Sequence, residues 1–151
     1  MEKKKQIVFL STPITNAIHP ETGRYDTRMA VQINRIAESI RAHGYDVFVA
    51  IEEENWGEKI ATPEECTPRD YQHLLIADYL IVYLTTCASE GTLIEIGWAS
   101  ANQIPITVFC PKEMKISPLL DGLSQIGDHR IFHVDFEDME EIETILMERL
   151  K

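Results

Sequence analysis

Positive charge is scarce in this chain. Fourteen Lys and Arg stand against 25 Asp and Glu, a formal charge of −11. That balance argues against a surface gathering nucleic acid polymers through their phosphates. A small anionic ligand is a different matter, because a few amides and hydroxyls make one pocket locally positive. Long apolar runs are also missing. The longest are about seven residues, well short of the roughly 20 that cross a bilayer, and the first residues lack the apolar stretch of a secretion signal. The expectation is a cytoplasmic protein with no membrane partner. Cysteine is sparse: Cys66, Cys87 and Cys110 are an odd set with no C-x-x-C spacing, which reads as reduced thiols. No histidine context suited to catalysis accompanies any of them. His129 and His133 fall four apart on one strand face, with no cysteine or carboxylate nearby to complete a metal set, so neither metal nor cofactor is expected. There is no G-x-x-x-x-G-K-[ST] loop, no repeat, no low-complexity tract and no linker. The 151 residues read as one domain.

What is present is alternation. Short apolar runs at Gln6–Leu10, Tyr45–Ala50, Tyr79–Leu84, Ile104–Phe109 and Arg130–Phe136 suit strands covered on both faces. Between them lie helical patterns. One runs from Thr27 to Ala42, with Met29, Ile33, Ile36 and Ile40 on one face and Gly44 to stop it. A second starts at Thr67 as N-cap, with Pro68 in first position and Asp70 three residues past the cap, and continues to about Ala77. A third opens at Ser89 and reaches Asn102. A short helix or turn spans about Ile116 to Leu123, and Asp138 caps a last helix carrying Ile142, Ile145, Leu146 and Leu150. The fold class is therefore α/β, a three-layer sandwich around a five-stranded parallel sheet in the flavodoxin-like order 2-1-3-4-5. In that order the ligand crevice lies beyond the carboxyl ends of strands one and three. Those ends are Ser11-Thr12 and Thr86-Cys87-Ala88-Ser89.

The residues there allow definite chemistry. Ser89, Gly91 and Thr92 stand at a helix N-terminus, where backbone N–H groups, the helix dipole and hydroxyls favour an anion. The alternative is a plain serine cap with a glycine easing the turn. Glu95 can act as nucleophile or general base, with Asp70 as partner acid, since paired carboxylates commonly run glycosidic chemistry. By spacing alone, the favoured reading is a solvated glutamate and a capping aspartate. Trp56 and Tyr25 lie in loops, where they either stack on a base or shield the core edge. Arg24 meets a phosphate or a base edge, or is an ordinary exposed loop arginine. Glu52–Glu54 is most simply a solvated acidic loop.

The stretch Ser89-Glu90-Gly91-Thr92-Leu93-Ile94-Glu95-Ile96-Gly97-Trp98-Ala99, with Asp70 upstream and Ser11-Thr12-Pro13-Ile14-Thr15 after the first strand, resembles the nucleoside 2-deoxyribosyltransferase superfamily over most of the chain. Asn55-Trp56-Gly57 and Glu65-Cys66-Thr67-Pro68-Arg69-Asp70 are similar to its CMP hydrolase-like subgroup, the nucleoside 5′-monophosphate N-glycosidases. The resemblance implies Glu95 as the nucleophile that forms a glycosyl ester and Asp70 as its assistant. It implies Ser89, Gly91 and Thr92, with Thr12 and Arg24, around the phosphate or base. Trp56 joins the substrate-binding set. Where the transferases carry aspartate, this chain has Ser89, and a serine does not repel a phosphate dianion. Ser117 matches a serine that such enzymes lend to the neighbouring subunit, which implies a homodimer or higher homo-oligomer. Val8 departs from the pattern, standing where some deoxynucleotide hydrolases carry an active-site tyrosine. The implied reaction is hydrolysis of a CMP-like nucleotide to free base and sugar 5-phosphate. Transfer of the sugar to a second base, or nucleotide sensing without turnover, are the alternatives.

Overall fold

The computed structural model describes residues 2–85 and 89–151. Strands β1 (Ile7–Ser11), β2 (Asp46–Val49), β3 (Tyr79–Tyr83), β4 (Ile106–Pro111) and β5 (His129–Val134) form one parallel sheet in the order β2-β1-β3-β4-β5. The helices are α1 (Thr27–Ala42), α2 (Ala50–Glu53), α3 (Pro63–Leu75), α4 (Glu90–Ala101), α5 (Pro118–Asp121) and α6 (Met139–Arg149). The expected doubly wound sandwich is the one observed. Register carries Phe9 opposite Phe48 and Leu80, and Leu80 opposite Ile106.

Period-two alternation splits the apolar strand residues between two cores. Val8, Leu10, Ile81, Tyr83 and Phe109 pack with Ile33, Ile36 and Ile40 of α1 and Ile142 and Leu146 of α6. Phe9, Leu80, Val82, Ile106 and Val108 pack with Leu74 of α3 and Ile96 and Ala99 of α4. Burying each such aliphatic side chain contributes about 1.5–3 kcal/mol. The described side of the switch point is the end of β1, where Ser11 and Thr12 are 2% and 6% exposed. Thr86, Cys87 and Ala88 lie outside the described residues.

Three expectations need correction. The helix that carries Asp70 starts at Pro63, five residues earlier than Thr67 suggests, with Thr62 as N-cap. The chain holds two Thr-Pro start signals, and the first adds a glutamate that closes back: Glu65 accepts from the Thr62 N–H at 3.0 Å, one half of a capping box. Pro68 is carried inside the helix on its exposed side. Asp70 is consequently in the second turn, free of any capping duty. The acidic run 52–54 is not a solvated loop. Residues 50–53 form α2, and Glu54 is 4% exposed. Finally, sequence spacing gave Cys110 no histidine, but the β4–β5 pairing sets Cys110 Sγ 3.3 Å from His133 Nδ1. The thiol is buried, and burial pushes its pKa up, the opposite of an activated cysteine. His129 and His133 also part company: His129 is buried and His133 exposed.

Candidate active site

A cleft of about 610 Å³ opens at the carboxyl end of the sheet, lined by Thr12, Ile14, Thr15, Asn16, Glu54, Ile60, Ala61, Cys66, Asp70, Ser89, Glu90, Gly91, Thr92 and Glu95. That volume suits a small organic ligand. A hollow of equal volume lies between α1 and α6, lined by residues such as Ser39, His43 and Glu143, but no buried carboxylate faces it.

Each wall of the cleft follows from local structure. Ser89 caps α4: its Oγ accepts from the Thr92 N–H at 3.1 Å and lies 2.7 Å from Thr92 Oγ1. A Cβ on Gly91 would meet nothing within 4 Å, so this glycine leaves the helix entrance open. One turn on, Glu95 points back over the N-terminus of its helix, as helical side chains do. Ser11 Oγ, at the end of β1, donates to Glu95 Oε1 at 3.0 Å.

Facing Glu95 is a charged cluster. Arg69 donates from Nε to Asp70 Oδ1 at 2.8 Å and from Nη2 to Glu54 Oε2 at 3.1 Å. Burial pushes the Glu95 carboxyl up to about 8, and the neighbouring Asp70 carboxylate adds to the rise, against the Ser11 hydrogen bond and the Arg69 charge. Asp70 is raised as well, first by burial, with Glu54 adding to it, while Arg69 and His73 pull it down. Two carboxyls in one cleft, both raised above their ordinary values, are the kind of pair that performs acid–base and nucleophilic work. Among the described residues, no three His, Cys, Asp or Glu side chains converge to hold a metal ion.

Six of the nine expected site residues line this cleft: Glu95, Asp70, Ser89, Gly91, Thr92 and Thr12. Three are elsewhere. Trp56 turns inward, edge-on to Tyr25 at 5.6 Å, and both rings pack with the core rather than line the cleft. Arg24 is exposed on its loop. Ser117 is exposed and caps α5, accepting from the Leu120 N–H at 3.3 Å. Sequence reading missed Glu54, Arg69 and the Ser11 contact. For Ser11, the strand-end rule was the available signal; the other two become visible only when α3 is folded.

Fold and cleft together define a site for acid–base and nucleophilic chemistry on a small ligand. A family model for nucleoside 2-deoxyribosyltransferase matches residues 23–144, and the chain belongs to that family. Among curated proteins no match is found. Among solved structures, the chain is similar to BlsM, with a TM-score of 0.80, 29% identity and coverage of 97% of this chain and 92% of that one. It is also similar to the CMP N-glycosidase BcmB of Clostridium botulinum, at TM-score 0.68, 21% identity and 94% and 99% coverage. A 2-deoxyribosyltransferase of Bacillus psychrosaccharolyticus follows, at 0.62, 19% identity and 89% and 90% coverage. Among the described residues, no helix is long and apolar enough to cross a membrane.

Proposed function

We propose that this chain hydrolyses the N-glycosidic bond of a nucleoside 5′-monophosphate, with a CMP-like pyrimidine nucleotide favoured. The observation that carries the reading is Glu95, held by Ser11 beside Asp70 in a cleft entered at a serine-capped helix N-terminus. The likeness to a CMP N-glycosidase supports the choice of nucleotide. Ser89, with the Gly91 and Thr92 backbone, holds the 5′-phosphate, and Thr12 completes that side.

In the first step a Glu95 carboxylate oxygen bonds to the anomeric carbon as the carbon–nitrogen bond breaks. The bonding pair leaves with the base, which takes a proton from Asp70. In the second step Asp70 takes a proton from water, whose oxygen attacks the same carbon and releases Glu95. The sum is nucleotide plus water giving free base and sugar 5-phosphate.

Ser117 serves the neighbouring subunit of a homodimer. Support comes from exposed apolar side chains: Leu119, two residues on, is 88% exposed, and α4 turns Leu93 and Ile94 to solvent, 42% and 52% exposed. A helix apolar on its outer face commonly marks an interface.

The test is a panel of ribo- and deoxyribonucleoside 5′-monophosphates and their nucleosides, read as free base. Base from monophosphates, in preference to nucleosides, is expected. A new nucleotide formed on adding a second base would make the enzyme a transferase, and binding without any free base would make it a sensor.

A further inference from the structure

Among the described residues, Glu54 is the acidic residue with the least solvent exposure, 4%. Its two oxygens are engaged on different partners. Oε1 accepts from the Ala61 N–H at 2.9 Å, and Oε2 accepts from Arg69 at 3.1 Å. The backbone around it is forced. Asn55 and Trp56, at φ 47° and 55°, sit in the left-handed region with Gly57 at 99°, a costly run for two non-glycine residues. That run folds the chain back so that Gly57 and Lys59 N–H groups both reach the Glu54 carbonyl at 3.1 Å. A Cβ on Gly57 would stand 3.2 Å from the Gly23 carbonyl oxygen, so any other residue there would crowd that carbonyl and strain a backbone held at positive φ. Strain and burial are thus both committed to holding one carboxylate against one guanidinium.

That guanidinium is shared. Arg69, 21% exposed at its side chain, bridges Glu54 and the adjacent Asp70. Paired with Asp70 alone, the full charge of Arg69 would favour the ionised aspartate. A second carboxylate on the same guanidinium divides that charge. It also fixes the fork of Arg69 in one orientation, and with it the Asp70 side chain. The groups facing Asp70 are Arg69 and His73 on its own helix, Glu54 from the loop after α2 and Glu95 from α4.

We propose that Glu54 is a positioning residue: it anchors Arg69 and takes part of its charge, so that Asp70 stands in the cleft opposite Glu95 as a proton donor rather than as a fully paired carboxylate. This rests on the reading of Asp70 and Glu95 as the reacting pair. In the singly protonated pair, the reaction needs the proton on Asp70 and Glu95 ionised. Removing Glu54's negative charge lets Arg69 favour ionised Asp70 more strongly, so the reacting arrangement becomes rarer.

The test compares wild type with Glu54→Gln and Arg69→Gln. It follows base release against pH, and the Asp70 carboxyl by carbon NMR titration assigned with Asp70→Asn. Glu54→Gln is expected to lower kcat roughly 10- to 100-fold with KM within about twofold. It moves the Asp70 titration and the acid limb of the rate profile to lower pH, by about half a unit or more. Arg69→Gln moves the Asp70 titration the opposite way, and so serves also if Glu54→Gln fails to fold. A merely structural ion pair lowers the melting temperature but gives no such opposed shifts. An Asp70 titration unmoved in both variants, or a Glu54→Gln kcat within about twofold of wild type, overturns the proposal. Failure of the underlying reading looks different: wild type itself releases no base, and the opposed titration shifts alone then decide whether Glu54 governs Asp70.

Discussion

Two charged clusters sit at opposite ends of the sheet, and they differ in stoichiometry rather than in residue type. At the amino ends, Arg149 donates to Thr107 Oγ1, Asp128 Oδ1 and the Ile106 and Asp128 carbonyls. It thereby ties α6 to the starts of β4 and β5. There one arginine has one carboxylate, and the hydrogen bond from Arg149 pulls Asp128 below its usual range. At the carboxyl ends, one arginine serves Glu54 and Asp70, with Glu95 beyond, and both Asp70 and Glu95 are raised. A satisfied cluster holds elements together. A cluster with more carboxylates than cations leaves protons in play, and that excess marks the reactive end.

The largest expected effect breaks the reactive cluster. Glu95→Ala should cut base release by roughly a thousandfold or more while the protein melts cooperatively; turnover retained within tenfold would remove Glu95 from the nucleophile's role. Ser89→Asp comes next. It sets a carboxylate at the entrance of α4 and should weaken nucleotides about tenfold or more relative to nucleosides. Equal loss for both in a kcat/KM comparison would put the phosphate elsewhere.

Arg149→Met probes the other end. Urea denaturation should show a loss of about 1–3 kcal/mol, from the unpaired Asp128 and lost hydrogen bonds, with kcat unchanged. A large loss of kcat would mean the two ends are not separate. A further prediction concerns pH. Glu95's folded pKa of about 8 lies above its ordinary value of 4.5. The native state therefore keeps a proton that the unfolded chain releases, and the stabilisation, full below the ordinary value, is lost as pH rises through about 8. Glu95→Gln should flatten that slope, so its melting temperature gains on wild type between pH 5 and pH 8. Parallel melting curves across that window would place Glu95 in an ordinary solvated state.

The sheet order was legible because apolar runs and helical periods alternate without interruption, and α1 is read correctly to both ends because Gly44, at φ 91°, is a clear stop. The start of α3 was misread for a local reason. Thr62-Pro63 and Thr67-Pro68 carry the same signal, and only Glu65 reaching back to Thr62 favours the first. The crevice rule led to Ser89, Thr92 and Glu95, all in the cleft. Glu54 and Arg69 escaped because 15 residues separate them and neither looks apolar. Acidic residues in a row read as solvated, and burial of the last one depends on a left-handed turn that residue types do not announce.

The claim that Glu95 forms a bond to the sugar is tested most directly by stereochemistry. Base release run in water containing methanol yields a methyl glycoside 5-phosphate, whose anomer NMR assigns. Two displacements through Glu95 predict the β anomer, retaining the configuration of the nucleotide. The α anomer would mean a single displacement by the acceptor, with no bond to Glu95, and would contradict the account.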